Sequence, residues 1–327
     1  MNLKLITRET FIETLFSQRK TWHENYLAMY SSLWNGYVEE PTLMVVPADD
    51  HLVHRGDGVF DVMRCVCGKI YQMEAHLNRL EQSARAVFIE LPKEFREIRE
   101  LIKSLVVKGG QKECLVRVVL SRGPGSFTAN PFDCPSSQLY VNVIRYHEPP
   151  KRYYENGVSL ITSKIPIKKS FFANVKSCNY LPNALMKREA VMAGSEYAVA
   201  LDEDGFLAEG STENIGVLST DGRLRFPGFE RTLAGITVQR VAELAGSLVK
   251  AGMIRDVTFS RITPEDAYGA KEVFIMGTSI NIMPVREFDG RTIGTGRPGA
   301  VFSSLSGFLE TDLRENPQVL TELKWGK

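Results

Sequence analysis

Nowhere in the 327 residues do about 18 apolar residues run together, as a membrane-spanning helix requires. The opening MNLKLITRETFIETLFSQRK is too polar for a secretory signal. A chain lacking both is expected to be cytoplasmic. Neither sign of charge is in excess, since 40 Lys and Arg stand against 39 Asp and Glu. No basic field therefore points to nucleic acid or to an anionic membrane surface, and the expected partner is a small molecule. Cysteine is sparse: Cys65, Cys67, Cys114, Cys134 and Cys178 make an odd number with no CxxC spacing. That argues against a disulfide framework and against a zinc site. His51 and His54 lie close together without acidic or thiol ligands beside them, so no metal is assigned. Internal repeats and low-complexity tracts are missing as well.

What is present is an ordinary globular composition, 43% hydrophobic and 24% charged. The chain is too long for a single core, which implies two domains. Phe11, Leu15, Trp22, Tyr26, Met29 and Leu33 recur at roughly helical spacing and predict a helical extension over residues 1–36. TLMVVPADD and GVFDVMRCVCGKIYQM read as strands, the second with a hairpin through Cys67, Gly68 and Lys69. MEAHLNRLEQSARAVFIEL reads as a helix, with Leu77, Leu80, Ala84 and Val87 at steps of three and four. ECLVRVVLS and SQLYVNVIRYHEPP are strands on either side of a Gly/Pro loop, completing a small α/β domain over 37–148. Pro149-Pro150 and the polar KRYYENG mark a linker at 149–156.

A larger domain is then expected over 157–327. GVSLITSKIPI is a strand, NYLPNALMKREAVMAG a helix, and EYAVALDEDGFLAEG a hairpin turning at Asp202 to Gly205. AGITVQRVAELAGSLVKAG is a helix with Val238, Val241, Leu244 and Leu248 on its apolar face, and KEVFIMGTSINIMPV a buried strand entering a loop. The fold class read from this order is α+β, or mixed α/β, in two halves.

Lys176 lies among small and polar residues just ahead of the helix at 181. In LAEGSTENIGV, Glu209 and Glu213 stand four apart, placing at least one carboxylate within reach. In TLAGITVQR a glycine precedes Ile236 and Thr237 at a helix start, leaving N–H groups and a hydroxyl for an anion. FIMGTSIN offers a second such turn through Gly277, Thr278 and Ser279. A lysine, a carboxylate and two anion cradles are the equipment that pyridoxal 5'-phosphate needs: an amine for its aldehyde, a partner for its ring nitrogen and donors for its phosphate.

Order and spacing extend the match over roughly residues 38 to 325. The chain resembles the class IV (fold type IV) pyridoxal-phosphate enzymes, a family that includes branched-chain aminotransferases, D-amino acid transaminases and 4-amino-4-deoxychorismate lyase. VHRGDGVFDVMR followed by AHLNRLEQSA resembles the family's N-terminal signature, which implies that Arg79 contacts the cofactor phosphate. VKSCNYLPN resembles the lysine segment, implying Lys176 as the imine-forming lysine and proton carrier, with Tyr180 beside the phenolic oxygen. EGSTEN resembles the glutamate motif, with Glu209 on the ring nitrogen. LAGIT implies Leu233 on the ring and Ile236 and Thr237 on the phosphate, and MGTS adds Thr278. The resemblance further implies a cofactor held between two domains, a homodimer whose partner lends loop residues, and amino-group exchange between an amino acid and a 2-oxo acid.

For the substrate, the resemblance implies an apolar pocket formed by Phe60 and Tyr180. Leu115 and Arg55 stand where branched-chain enzymes carry tyrosines, and the Arg-x-His pair of well-known D-amino acid transaminases is missing from GPGSFTANPF. Either the backbone of Thr278 and Ser279 holds the substrate carboxylate, or Arg55, from the partner subunit, clamps it with Arg117. The alternatives to a transaminase are a pyruvate-releasing lyase and a protein that binds the cofactor without turnover.

Overall fold

The computed structural model describes residues 1, 3–168 and 170–326. Among them, seven strands form an antiparallel sheet in the order Leu320–Glu322, Lys69–Tyr71, Gly58–Val66, Cys114–Ser121, Gln138–Arg145, Tyr26–Ser31 and Gly36–Val38. Successive side chains point to opposite faces, so each strand serves two environments. Val59, Met63, Val116, Val118 and Val141 face a buried core shared with helices Met73–Ala86 and Ile98–Lys108. Phe60, Val62, Leu115, Arg117 and Val119 take the other face, and the register sets Val62 directly across from Arg117 and Phe60 across from Val119.

The second sheet is mixed. Its strands run in the order Asp256–Phe259, Arg223–Phe226, Asn214–Leu218, Glu272–Gly277, Asn281–Phe288, Val158–Thr162, Tyr197–Leu201 and Leu207–Gly210, with Arg291–Thr292 added to the edge of Asn281–Phe288. Glu209 also pairs with Asn214, so the strands from Asn214–Leu218 round to Leu207–Gly210 close into a ring. Ile215, Val217, Val273, Ile275, Met283 and Val285 fill one core, while Phe274, Met276 and Ile282 point the other way. Against the latter pack helices Ile236–Lys250, through Val238, Val241, Ala245 and Leu248, and Ala300–Glu315, through Leu305 and Leu309. Among the described residues no helix is long and apolar enough to cross a membrane.

Three expectations are corrected. The helical extension expected over residues 1–36 is limited to helix Arg8–Ser17 and a 3-10 turn at Thr21–Asn25, and Tyr26–Ser31 is a strand of the first sheet. Pairing with Gln138–Arg145 overrides the helical spacing there, with Ala28 in one core and Met29 in the cluster on the opposite face. The next strand follows an Asn-Gly step, with Asn35 at φ 49°, a hairpin signal that the periodic reading passed over. TLMVVPADD forms a short 3-10 turn at Pro41–Leu43 and then a loop instead of a strand. In the polar linker, Lys151–Asn156 is a short helix entered through Pro150.

Candidate active site

Lys176 is fixed by the first sheet although it comes from the second half of the chain. Its carbonyl accepts the N–H of Phe60 at 2.9 Å, the N–H of Cys178 reaches Gly58 O at 2.8 Å, and Ser177 bridges Val59. Its own N–H donates to Ser83 Oγ at 3.2 Å. The segment therefore behaves as a short extra strand, and the lysine side chain leaves it toward the face that carries Phe60. Nζ stands 3.2 Å from the Tyr180 hydroxyl and 4.9 Å from the centre of the Phe60 ring, which packs edge-on against Tyr180. Burial, with the nearby Arg79 guanidinium, pushes the amine down to about 8. Among the described residues no carboxylate pairs with it.

One cavity of about 320 Å³ joins the two sheets at this point. The first sheet contributes Phe60, Val62, Leu115 and Arg117, with Arg79 from the helix behind it. The second half contributes Lys176, Tyr180, Thr212, Asn214, Leu233, Ile236, Thr237, Thr278 and Ser279. Arg117 lies over the Phe60 ring at 4.4 Å and has no carboxylate partner among the described residues.

At the Arg79 end of the cavity, opposite charges are paired. Asp61, fully buried, takes both Arg79 Nε and Nη2 at 2.8 Å and His76 Nδ1 at 2.7 Å. Burial opposes its ionisation, yet Arg79 and His76 hold its carboxyl well below the usual carboxylate range. Arg79 Nη1 donates to Ala234 O at 3.2 Å, which ties the guanidinium to the loop entering helix Ile236–Lys250. That helix has Gly235 at its N-cap and no side-chain cap, so the N–H groups of Ile236, Thr237 and Val238 have no protein partner among the described residues. The N–H groups of Thr278 and Ser279 are equally free among those residues. An uncapped helix start with a guanidinium beside it is a site for a phosphate.

At least one carboxylate of EGSTEN was expected near the lysine, and the two glutamates are placed differently, neither of them lining the cavity. Glu209 lies behind Leu233, accepting that residue's N–H at 3.0 Å. Burial raises its pKa, opposed by the Leu233 N–H and by Lys176. Glu213 is buried and spent on its own turn, accepting from the Thr212 N–H at 3.0 Å and from the hydroxyls of Ser211 and Thr212. Arg55 does not line this chain's cavity. It is exposed, and its guanidinium holds the carbonyls of Phe127 and Thr128 on a neighbouring loop.

Sequence reasoning passed over Asp61, His76, Asn214 and Lys168. Asn214 Nδ2 holds Leu233 O at 3.1 Å, and it is the last residue of EGSTEN, so the motif carried its signal. Asp61 and His76 sit in FDVMR and AHLNR, and they meet because helix Met73–Ala86 lies across strand Gly58–Val66. Lys168, pushed down by burial, lies 4.9 Å from the Tyr180 ring centre and had no sequence signal.

The family model described as Amino-transferase class IV matches residues 58–288. The chain is 38% identical over 297 residues, 90% of its length and 78% of the relative's, to a chloroplastic D-amino-acid transaminase of Arabidopsis thaliana. It is 31% identical over 272 residues, 82% of its length and 91% of the relative's, to a putative branched-chain-amino-acid aminotransferase of Methanocaldococcus jannaschii. Its structure resembles that of a branched-chain amino acid aminotransferase of T.th. with pyridoxamine 5'-phosphate, at a TM-score of 0.84 and 28% identity, covering 91% of this chain and 99% of that one.

Proposed function

The chain belongs to the amino-transferase class IV family, and from that premise we propose that it is a pyridoxal-phosphate-dependent transaminase moving an amino group from an amino acid to a 2-oxo acid. One observation carries the reading: an amine pushed down to about 8, without a carboxylate partner among the described residues, faces the same cavity as an uncapped helix start and Arg79. The residues present fit the cofactor. Arg79, the N–H groups of Ile236 and Thr237, and Thr278 would hold its phosphate, Leu233 its ring, Tyr180 its phenolic oxygen and Glu209 its ring nitrogen. Bound there, pyridoxal phosphate supplies an aldehyde for the lysine and an electron sink for the substrate's α-carbon. Lys176 Nζ, whose pKa burial lowers to about 8, takes the proton from that carbon and returns it one atom away. Glu209 keeps the ring nitrogen protonated through a charge-assisted hydrogen bond. Phe60, Val62 and Leu115 keep water from the substrate's side chain.

The N–H groups of Thr278 and Ser279 take the substrate α-carboxylate in this reading, and Arg117 takes a second carboxylate, that of glutamate or 2-oxoglutarate. A second reading gives Arg117 the α-carboxylate of D-amino acids, and the 38% identity to a D-amino-acid transaminase favours it. Arg55 would then enter the site of the other subunit of a cytoplasmic homodimer, each subunit being divided into its two domains at residues 149–156.

Amino donors of both series, tested on the wild type and on Arg117→Ala, separate these readings. In the first, kcat/KM falls roughly 30-fold, about 2 kcal/mol, for glutamate and 2-oxoglutarate while monocarboxylate donors change little. In the second, every D-donor loses alike. Pyruvate release from aminodeoxychorismate without amino exchange would replace the transaminase by a lyase.

A further inference from the structure

The turn carrying Thr278 and Ser279 is short. Gly277 pairs with Asn281, the Ile280 N–H returns to Gly277 O at 3.1 Å, and Asn281 adopts φ 55°. A turn whose N–H groups are kept for a ligand must satisfy its carbonyls elsewhere. Ser279 O accepts the Tyr146 hydroxyl at 3.2 Å, and Ile280 O accepts the Tyr154 hydroxyl at 3.0 Å. These tyrosines stand on either side of Pro149-Pro150, in the segment between the sheets, and neither lines the cavity. Burial raises the pKa of both phenols, so each stays a donor throughout the working pH range.

A third element completes the brace. Arg64, 6% exposed, lies on the strand that carries Phe60 and Val62. Its guanidinium sits over the Tyr146 ring at 3.9 Å and reaches Asn281 Oδ1 at 3.1 Å. Its Nε is buried without a hydrogen-bond partner among the described residues, so the stack and the Nη contacts fix its place. The first sheet, the linking segment and the turn are thus joined by adjacent polar contacts around one aromatic ring.

We propose that Tyr146 and Tyr154 are positioning residues for the substrate carboxylate: by fixing the peptide planes of residues 279–281 they keep the N–H groups of Thr278 and Ser279 presented to the cavity. The inference rests on the reading that a carboxylate binds at that turn. It makes the segment between the sheets part of the specificity apparatus without any contact to the substrate.

The test uses the holoprotein, the double variant Tyr146→Phe/Tyr154→Phe, and the unreactive carboxylate 4-methylpentanoate, whose binding is followed through the cofactor absorbance. Loss of two neutral hydrogen bonds is expected to weaken 4-methylpentanoate binding about tenfold and to raise KM for the amino donor in parallel. The kcat should stay within about twofold, which separates lost carboxylate positioning from lost chemistry. Arg64→Lys, which keeps both hydroxyls but gives up the planar stack on Tyr146 and the Nη1 bond to Asn281, should show a smaller loss in the same direction. A double variant with a lowered melting temperature and wild-type 4-methylpentanoate affinity would make the tyrosines merely structural and overturn the proposal. If wild-type holoprotein transaminates yet does not bind 4-methylpentanoate, the carboxylate reading of the turn falls and takes the proposal with it.

Discussion

Lys176 owes its lowered pKa to neighbours of opposite effect. Burial and Arg79 disfavour its ammonium form, while Asp61 and Glu209 partly restore it, and the balance leaves the amine at about 8. An exposed lysine would be almost wholly protonated at that pH. Uptake of pyridoxal phosphate by the cofactor-free protein requires the neutral amine. Its rate, followed by absorbance in a stopped-flow mixer, is therefore expected to rise with pH through a midpoint near 8. A midpoint above 10 would place the lysine in solvent and contradict the geometry. Asp61 is the complementary case. Because Arg79 and His76 hold its carboxyl below the usual range despite burial, its contribution to stability is complete above pH ~4 and fades only on further acidification. Asp61→Asn strands the Arg79 guanidinium beside a neutral amide. It is expected to cost about 3–5 kcal/mol in urea unfolding at pH 7, and the difference from wild type should shrink as the pH falls below ~4, where the unfolded carboxylate takes a proton that the native one still refuses.

Helix Ile236–Lys250 shows how a single backbone position governs an element's use. Gly235 sits at ordinary φ, so its value lies in what it omits: a Cβ there would collide with Asn214 Oδ1, the side chain whose amide holds Leu233 O. Gly235→Ala is therefore expected to displace the Leu233 turn and the first N–H groups of the helix together. Pyridoxal phosphate affinity in equilibrium dialysis should fall, while the far-UV circular dichroism of the helices persists. Much of this element was legible in advance. AGITVQRVAELAGSLVKAG announced both its glycine start and its apolar stripe, and Lys176, Thr237 and Thr278, which line one cavity, stand out in the sequence because small-residue motifs bracket them. The strand Tyr26–Ser31 was missed because its apolar spacing is ambiguous and only the distant Gln138–Arg145 decides it. The meeting of Asp61, His76 and Arg79 was missed for a related reason: their proximity depends on how a helix lies across a strand, which no local pattern encodes.

The molecule's two sheets are joined by more than the segment at 146–156. The lysine segment pairs with Gly58–Val66, and the end of the chain returns from helix Ala300–Glu315 to place Leu320–Glu322 beside Lys69–Tyr71. Val319 and Leu320 pack on the core of the second sheet, Leu323 and Trp325 on that of the first, and Trp325 Nε1 donates to Gly68 O at 2.9 Å. A chain ending at residue 316 loses all of these. Burial of Leu323 alone contributes about 1.5–3 kcal/mol, so the truncated protein is expected to melt earlier and to lose cofactor affinity, both measurable by thermal scanning with and without pyridoxal phosphate. The same pairing orders events during biosynthesis. While a ribosome is still making the chain, Lys69–Tyr71 waits as an open edge until residues 320–322, far along the sequence, emerge to fill it. A nascent chain stopped before residue 320 therefore carries an unpaired strand of the kind that chaperones and proteases read.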